Sequence, residues 1–336
     1  MDSKVSSGPS GVRFLITGAK GFIGAWTVKN LVERGDHPFL FDVDGQVHRL
    51  EMLLSAEQMK QFTFVAGDVT QYKDVERAVV ENGITRIIHL AGLQVPACAA
   101  NPQLGAQVNV IGMLNIFESA RAHPDLVKRI VYASSAAVFG PEELYGKSTV
   151  PEGAALEPGT LYGVFKQCNE GCARVYFKTH GISSAGVRPW AVYGVGRDVG
   201  ITSGPTKAIK AALLGRPYTI RFTGGLDLQY VNDTARIAIR LAESSVGGAR
   251  VYTLRGSVTQ MSGFISELER EIPGAAGKIR AEGGTLPIAF DLDDSALVKD
   301  LREVPRTPLP EGIRETREIF ERLHLAGKLD TKDLET

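Results

Sequence analysis

Cysteine is scarce: Cys98, Cys168 and Cys172 are the three in 336 residues. Three thiols without a Cys-X-X-Cys pair build neither a disulfide framework nor a structural zinc site. They are expected to be free, small apolar residues in a reducing cytoplasm, with Cys168 and Cys172 four apart on one helical face, and no metal is expected. Net charge is missing too. Lysine plus arginine and aspartate plus glutamate both number 38, which removes the uniform field that draws a chain to nucleic acid or an anionic membrane. A small-molecule partner is expected. No run of 18 apolar residues is present to span a bilayer. The opening segment, with Ser3, Ser6, Ser7, Gly8, Pro9 and Ser10, lacks the apolar core of a secretory signal, and residues 1–10 are expected to be disordered. No internal repeat or low-complexity tract occurs.

What is present is a hydrophobic content of 43%, enough for a large core near the size at which one core divides in two. Strand-like runs at Val12 to Thr17, Phe39 to Phe41, Phe62 to Val65, Arg86 to Leu90, Ile130 to Ala133 and Ser183 to Val187 alternate with helical patterns at Phe22 to Glu33, Asp74 to Glu81, Pro102 to Ala122 and Leu161 to Lys178. This rhythm predicts an α/β, Rossmann-type doubly wound parallel sheet over residues 11–190. After Gly194 glycine and proline become frequent. A smaller α/β substrate-binding region is expected over 191–327, with a short helix at Pro205 to Leu214, an isolated strand at Arg250 to Leu254, a return to the main sheet near Tyr230 (228–243), a closing helix at Glu311 to Leu325, and a frayed tail over 328–336.

The first strand runs into Thr17-Gly18-Ala19-Lys20-Gly21-Phe22-Ile23-Gly24. Gly18 permits a tight turn, Gly21 lets the backbone approach a pyrophosphate, and Gly24 allows the helix to pack closely on the strand, so the helix N-terminus faces the anion. Asp42 ends the second strand, where a carboxylate accepts hydrogen bonds from an adenosine ribose and repels a 2′-phosphate, favouring NAD over NADP. Asp68 and Val69 follow the third strand, placed to meet the adenine. Leu90, Ala91 and Gly92 close the fourth, with a small-residue floor under the dinucleotide.

Tyr162 and Lys166 are four apart in a helical pattern, so their side chains meet across one turn. A free phenol is a poor base at neutral pH; an adjacent ammonium and a nearby nicotinium favour the phenolate. Tyr162 is then the proton carrier, Lys166 its partner and a bridge to the nicotinamide ribose, and Ser134 or Ser135 the hydroxyl that orients a substrate oxygen.

These segments resemble the extended short-chain dehydrogenase/reductase family, the NAD-dependent epimerase/dehydratase group, from about Arg13 to Thr307. The resemblance rests on TGAKGFIG, HLAG at His89 to Gly92, NVIG at Asn109 to Gly112, YASSAAVFG at Tyr132 to Gly140, YGVFK at Tyr162 to Lys166, VRPWAVYG at Val187 to Gly194 and QYVND at Gln229 to Asp233. It implies Tyr162 as acid/base, Lys166 as partner and Ser135 as catalytic hydroxyl. It implies Ser134, Asn109 and Pro189 as cofactor-side contacts, and a homodimer formed through the helices at 102–122 and 161–178.

Departures from the family pattern bear on substrate. Ala136 and Ala137 stand where dehydratases and decarboxylases carry acids, which argues against elimination. Leu226 and Glu282 stand near the places of two arginines that grip a nucleotide diphosphate, with Arg221 and Arg280 as candidate substitutes from displaced positions. Ala191 replaces a substrate-binding asparagine. Gln94, Ser135, Trp190, Tyr193, Arg197 and Thr202 are the candidate pocket residues: Trp190 as a stacking surface or core residue, Arg197 as partner to a substrate anion or a loop salt bridge. The expectation is a dehydrogenase that oxidises a secondary hydroxyl of a free sugar, sugar acid or related polyhydroxylated compound. The alternatives are an epimerase that keeps its NAD, including one on a nucleotide sugar, and a non-catalytic NAD sensor.

Overall fold

Apolar runs too short for helices, bounded by glycine and polar turns, form the strands. In the computed structural model, which describes residues 11–43, 46–146 and 149–335, these are β1 (Phe14–Thr17), β2 (Phe39–Asp42), β3 (Thr63–Ala66), β4 (Arg86–His89), β5 (Arg129–Ala133), β6 (Ser184–Arg188), β7 (Ala191–Tyr193), β8 (Tyr218–Ile220), β9 (Gly225–Tyr230), β10 (Ala249–Thr253), β11 (Ser257–Gln260) and β12 (Ile279–Ala281). The segment expected to be disordered, 1–10, lies outside the described residues.

The main sheet has seven strands in the order β10-β6-β5-β4-β1-β2-β3, and every pair in it is parallel. Side-chain alternation divides its interior. Ile16, Ile88, Val131 and Ala185 belong to one core cluster, while Leu15, Ile87, Ile130 and Tyr132 belong to the other, so successive residues feed opposite faces. The order 3-2-1-4-5-6 is that of a Rossmann fold, and the reversal at β1 and β4 opens a crevice at their carboxyl ends. Those ends are knitted together by Thr17 Oγ1 and His89 Nδ1 at 2.7 Å. Burial holds His89 near a pKa of about 3 and hence neutral.

Three expectations are corrected beyond this core. The strand ending at Tyr230 does not rejoin the main sheet: β9 lies between β7 and β11 in a separate three-stranded sheet. The strand that rejoins is β10, read from sequence as isolated, which pairs with β6 from Ala249↔Ser184 to Thr253↔Arg188. The helix between them, Val231–Glu243, buries Val231, Ala235, Ala238 and Leu241 in the main-sheet core. The tail is docked rather than frayed. Lys210 Nζ donates to Asp333 Oδ1 at 2.7 Å and to the Asp330 carbonyl at 2.9 Å, and Leu329 and Leu334 pack on the core.

Two carboxylates of this region are withdrawn from water, Glu152 in part and Asp227 fully. Glu152 accepts from the Thr253 N–H at 2.9 Å, yet burial, with Asp293 and Asp294 nearby, pushes it up to about 7. Asp227, fully buried, is raised to about 6 by the same cause despite hydrogen bonds from Gln229 and Gly256. A folded-state pKa above the unfolded one means that the native state holds its proton longer, so this stabilisation is complete below the unfolded value and is lost as pH rises through about 7. Glu152→Gln removes that titration. The melting temperature of the variant minus that of the native protein should therefore increase between about pH 5 and about pH 8; a difference that stays flat by calorimetry would show that Glu152 titrates normally.

Candidate functional site

The crevice at the β1/β4 switch begins with glycines that nothing larger can replace. Gly18 has φ +65°, and a Cβ there would lie 2.7 Å from Ala91 N. A Cβ on Gly24 would lie 2.2 Å from the Gly18 carbonyl oxygen. The helix Phe22–Glu33 starts at Gly21 with no side-chain cap, leaving its first N–H groups free to receive an anion. Gly18, Gly21, Phe22, Ile23 and Gly24 line a cavity of about 350 Å³ together with Leu90, Gly92, Ser134 and Pro189.

Tyr162 and Lys166 line it as well, whereas Lys20, Asp42, Asp68, Val69, Ala91 and Asn109 do not. The Lys20 N–H donates to Asp42 Oδ2 at 3.2 Å at the end of β2. Asp68 Oδ1 accepts from Thr70 N at 2.9 Å, and Val69 is buried beneath Gly112, where a Cβ would lie 2.9 Å from it. Asn109 sits in a π-helical turn, Gln107–Ile111, inside the stretch read as one continuous helix; such turns re-aim side chains. Its amide donates to the Leu93 and Gly105 carbonyls at 3.2 and 3.0 Å. Its Oδ1 is buried with no donor among the described residues, and would lie 2.7 Å from a Cβ on Gly92. A glycine cradle, an uncapped helix start and an orphaned buried acceptor fit a dinucleotide laid across the crevice.

Tyr162 and Lys166 come from the helix Leu161–His180, which is capped by Thr160 Oγ1 accepting from Gly163 N and ended by Gly181 at φ +70°. One helical turn places the Lys166 ammonium 5.5 Å from the centroid of the Tyr162 ring. That ammonium donates to the Ala133 carbonyl at 2.8 Å, and burial lowers its pKa to about 8. Burial raises the Tyr162 phenol; the Ser135 hydroxyl and the Arg197 guanidinium pull it back down. Arg197 thus adds a second positive charge beside the phenol that sequence reasoning did not assign to it. Ser135 Oγ also accepts from Ala137 N at 3.1 Å.

Sequence reasoning missed the buried ion pair behind these groups. Glu170, one turn beyond Lys166, accepts from Ser134 Oγ at 2.6 Å and from Arg188 Nε and Nη2 at 2.8 and 2.7 Å. The signal was a carboxylate on the face otherwise buried by Gly163, Lys166, Asn169 and Ala173.

At the substrate end Gln94, Ser135, Trp190, Arg197 and Thr202 line the same cavity, and Tyr193 does not. Strand parity explains the correction: Trp190, just before β7, and Val192 within it line the cavity, so Tyr193 points the other way, buried 5.6 Å from the Tyr230 ring. Trp190 Nε1 donates to the Ala289 carbonyl at 2.9 Å. Arg197 Nη2 donates to Thr202 Oγ1 at 2.9 Å, while its Nε is buried without an acceptor. Sequence also missed an apolar wall of Leu93, Val95, Ile201, Leu286 and Ile288. Among the described residues no aspartate or glutamate lines the cavity. Leu226 is buried in β9 and Glu282 is exposed; Arg221 and Arg280 line a separate cavity of about 410 Å³ with Tyr218 and Lys278. No group of residues suited to a metal ion, and no helix long and apolar enough to cross a membrane, occurs among the described residues.

Residues 14–254 match the family model described as the NAD dependent epimerase/dehydratase family. The chain is 30% identical over 319 residues to a UDP-glucose 4-epimerase of Mycolicibacterium smegmatis, across 92% of this chain and 98% of that one. Among solved structures it is similar to a partial-consensus L-threonine 3-dehydrogenase, with TM-score 0.79, 25% identity and coverage of 91% and 98%. It is also similar to a Thermus thermophilus UDP-glucose 4-epimerase in complex with NAD, with TM-score 0.75, 25% identity and coverage of 92% and 99%.

Removing one member of a buried, hydrogen-bonded pair strands the other charge away from water. Glu170→Met should lower the free energy of unfolding by about 3–5 kcal/mol in urea titrations. A loss below about 1 kcal/mol, the scale of a surface pair, would show that Arg188 finds water or another partner.

Proposed function

The chain belongs to the NAD-dependent epimerase/dehydratase family, and we propose that within it the chain is a dehydrogenase oxidising a secondary hydroxyl of a non-nucleotide sugar, sugar acid or related polyhydroxylated small molecule, the cavity favouring a carboxylated one. It is an NAD-dependent enzyme of the short-chain dehydrogenase/reductase type. NAD, when bound, supplies the hydride acceptor. Gly18, Gly21, Phe22, Ile23 and Gly24 would hold its pyrophosphate, Asp42 and Asp68 its adenosine end, and Gly92, Asn109, Ser134, Lys166 and Pro189 its nicotinamide end.

The Tyr162 phenolate takes the substrate hydroxyl proton, Ser135 donates a hydrogen bond to the oxygen as it becomes a carbonyl, and the Lys166 ammonium stabilises the charge beside them. The observation that carries the substrate reading is the charge inventory of the cavity: Lys166 and Arg197 line it and, among the described residues, no carboxylate does. An anionic ligand is favoured there, with Arg197 as partner to a planar carboxylate. Ala136 and Ala137, 1% and 7% exposed, bring no second acid for elimination, and the apolar wall favours a ligand with few hydroxyls. The alternative, an epimerase that returns the hydride to the other face, is favoured by the likeness to the M. smegmatis enzyme.

A panel of sugar acids, hydroxy acids, hydroxy amino acids, free sugars and UDP-sugars, followed both by NADH absorbance and by product analysis, separates the readings. NADH formation on a carboxylated substrate, abolished by Tyr162→Phe with NAD binding retained, is the expected result. Isomerisation without NADH would establish the epimerase, and silence throughout with tight NAD binding would favour a sensor.

We also propose a homodimer. The helix Leu161–His180 exposes Leu161, Val164, Cys168 and Val175 along one stripe, and the neighbouring stretch exposes Leu104 and Ile111, an apolar face in need of cover. Val164→Asp with Val175→Asp should convert a dimer to a monomer in analytical ultracentrifugation without loss of NAD binding; a native protein that sediments as a monomer overturns the proposal.

A further inference from the structure

The loop that carries Arg197 has little conformational support of its own. Gly194, Gly196 and Gly200 adopt φ of +132°, +97° and +101°, a region that glycine enters freely and other residues rarely do. Such a segment loses much backbone entropy when it is held in one shape, so external ties must hold it.

Those ties run to the cofactor cradle. Trp26, on the helix that opens at Gly21, donates through Nε1 to the Val195 carbonyl at 2.9 Å. The Phe22 ring lies 5.8 Å from the Arg197 guanidinium. The largest share falls to Arg49, in the helix His48–Leu53 that follows β2. Its Nε donates to the Gly196 carbonyl at 3.0 Å, and its Nη2 reaches both oxygens of Asp198 at 2.7 and 2.9 Å. Its Nη1 donates to the Lys20 carbonyl, inside the glycine turn, at 3.2 Å. A single guanidinium, 19% exposed, thus spans the pyrophosphate turn and the residues on both sides of Arg197. The link also holds the Asp198 carboxylate on Arg49, while the hydrogen bond of Arg197 itself goes to Thr202.

We infer that Arg49 is a positioning residue that couples the two halves of the site: a filled pyrophosphate turn fixes the Lys20 carbonyl, and through Arg49 and Asp198 fixes the backbone that presents Arg197. Cofactor binding then precedes productive substrate binding. Arg is required because one planar fork must serve three acceptors in different directions, which a lysine ammonium at the end of a flexible stem does not do. The inference rests on Arg197 facing substrate, but the coupling itself is measured without any substrate.

Hydrogen–deuterium exchange of the peptide spanning 194–203, with and without saturating NAD, reads it directly. In the native protein NAD should slow exchange in this loop by about 5- to 150-fold, the span of ordinary coupling between sites. In Arg49→Lys and Arg49→Met the slowing should be lost while peptides of β1 and β4 keep their native exchange and NAD still binds by calorimetry. Asp198→Asn, which leaves the bonds to Lys20 and Gly196 in place, should lose part of it and serves if the Arg49 variants fold poorly. Absence of slowing in the native protein, or full slowing in Arg49→Met, overturns the inference. Because no turnover enters the measurement, a silent substrate panel leaves this result standing, and a failed coupling leaves the proposed reaction untouched.

Discussion

Everything at the reaction centre is hung from one buried charge. Glu170 has no exposed surface, so its carboxylate must be supplied with donors from inside the protein, and it has three: Ser134 Oγ and two nitrogens of Arg188. Those donors come from the carboxyl ends of β5 and β6, and Glu170 itself from the helix Leu161–His180. Satisfying one carboxylate therefore fixes three separate elements against each other. The proposed working groups are their immediate neighbours: Ser135 follows Ser134, Pro189 and Trp190 follow Arg188, and Lys166 precedes Glu170 by one turn. A buried ion pair is weak grounds for stability, since desolvation offsets much of the attraction. Its use here is positional.

The same burial that makes Glu170 a strong anchor opposes ionisation of Tyr162. A phenol removed from water holds its proton more tightly, and Lys166, whose hydrogen bond goes to the Ala133 carbonyl, is itself pushed down to about 8. The Ser135 hydroxyl and the Arg197 guanidinium, the latter from a loop on the other side of the cavity, offset part of the phenol's rise. On the proposed reading, proton chemistry and anion recognition meet at one guanidinium. Were a ligand carboxylate to pair with Arg197, its pull on Tyr162 would weaken, and a nicotinium held beside the phenol would supply positive charge in its place.

Much of this was legible in the sequence wherever the determinant is local. The glycine spacing of the first turn, the i,i+4 placement of Tyr162 and Lys166, and the parallel α/β rhythm depend on residues within one or two elements, and the helix Phe22–Glu33 has the same limits in both readings. What was not legible depends on partners far away in the chain. Tyr193 was grouped with its neighbours because they are adjacent in sequence, but a three-residue strand sends alternate side chains to opposite faces. The strands at Tyr230 and Arg250 exchange roles because pairing choice rests on β6 being available for β10, not on their own composition. The tail reads as frayed because its anchor, Lys210, is more than a hundred residues earlier. The apolar wall from Leu286 to Ile288 carries no motif at all.

The departures at Leu226 and Glu282 acquire weight from where binding energy must then come. A nucleotide-sugar enzyme can draw affinity from a diphosphate far from the reacting carbon and spend it on orienting that carbon. With Leu226 buried in β9, and Arg221 and Arg280 turned to a different cavity, the cavity around Ser135 and Tyr162 offers instead one guanidinium and a hydrophobic wall. A small ligand has few atoms with which to earn affinity, and the ceiling is about 1.5 kcal/mol for each non-hydrogen atom. Most of that must come from Arg197 and from apolar contact, so a loosely held Arg197 would forfeit the orientation on which hydride transfer depends. If the substrate is the small one proposed, the ties from Trp26 and Arg49 to the Arg197 loop stand in for a diphosphate clamp: the rigidity that a larger substrate would impose on its own site would be supplied by the protein, from the cofactor side.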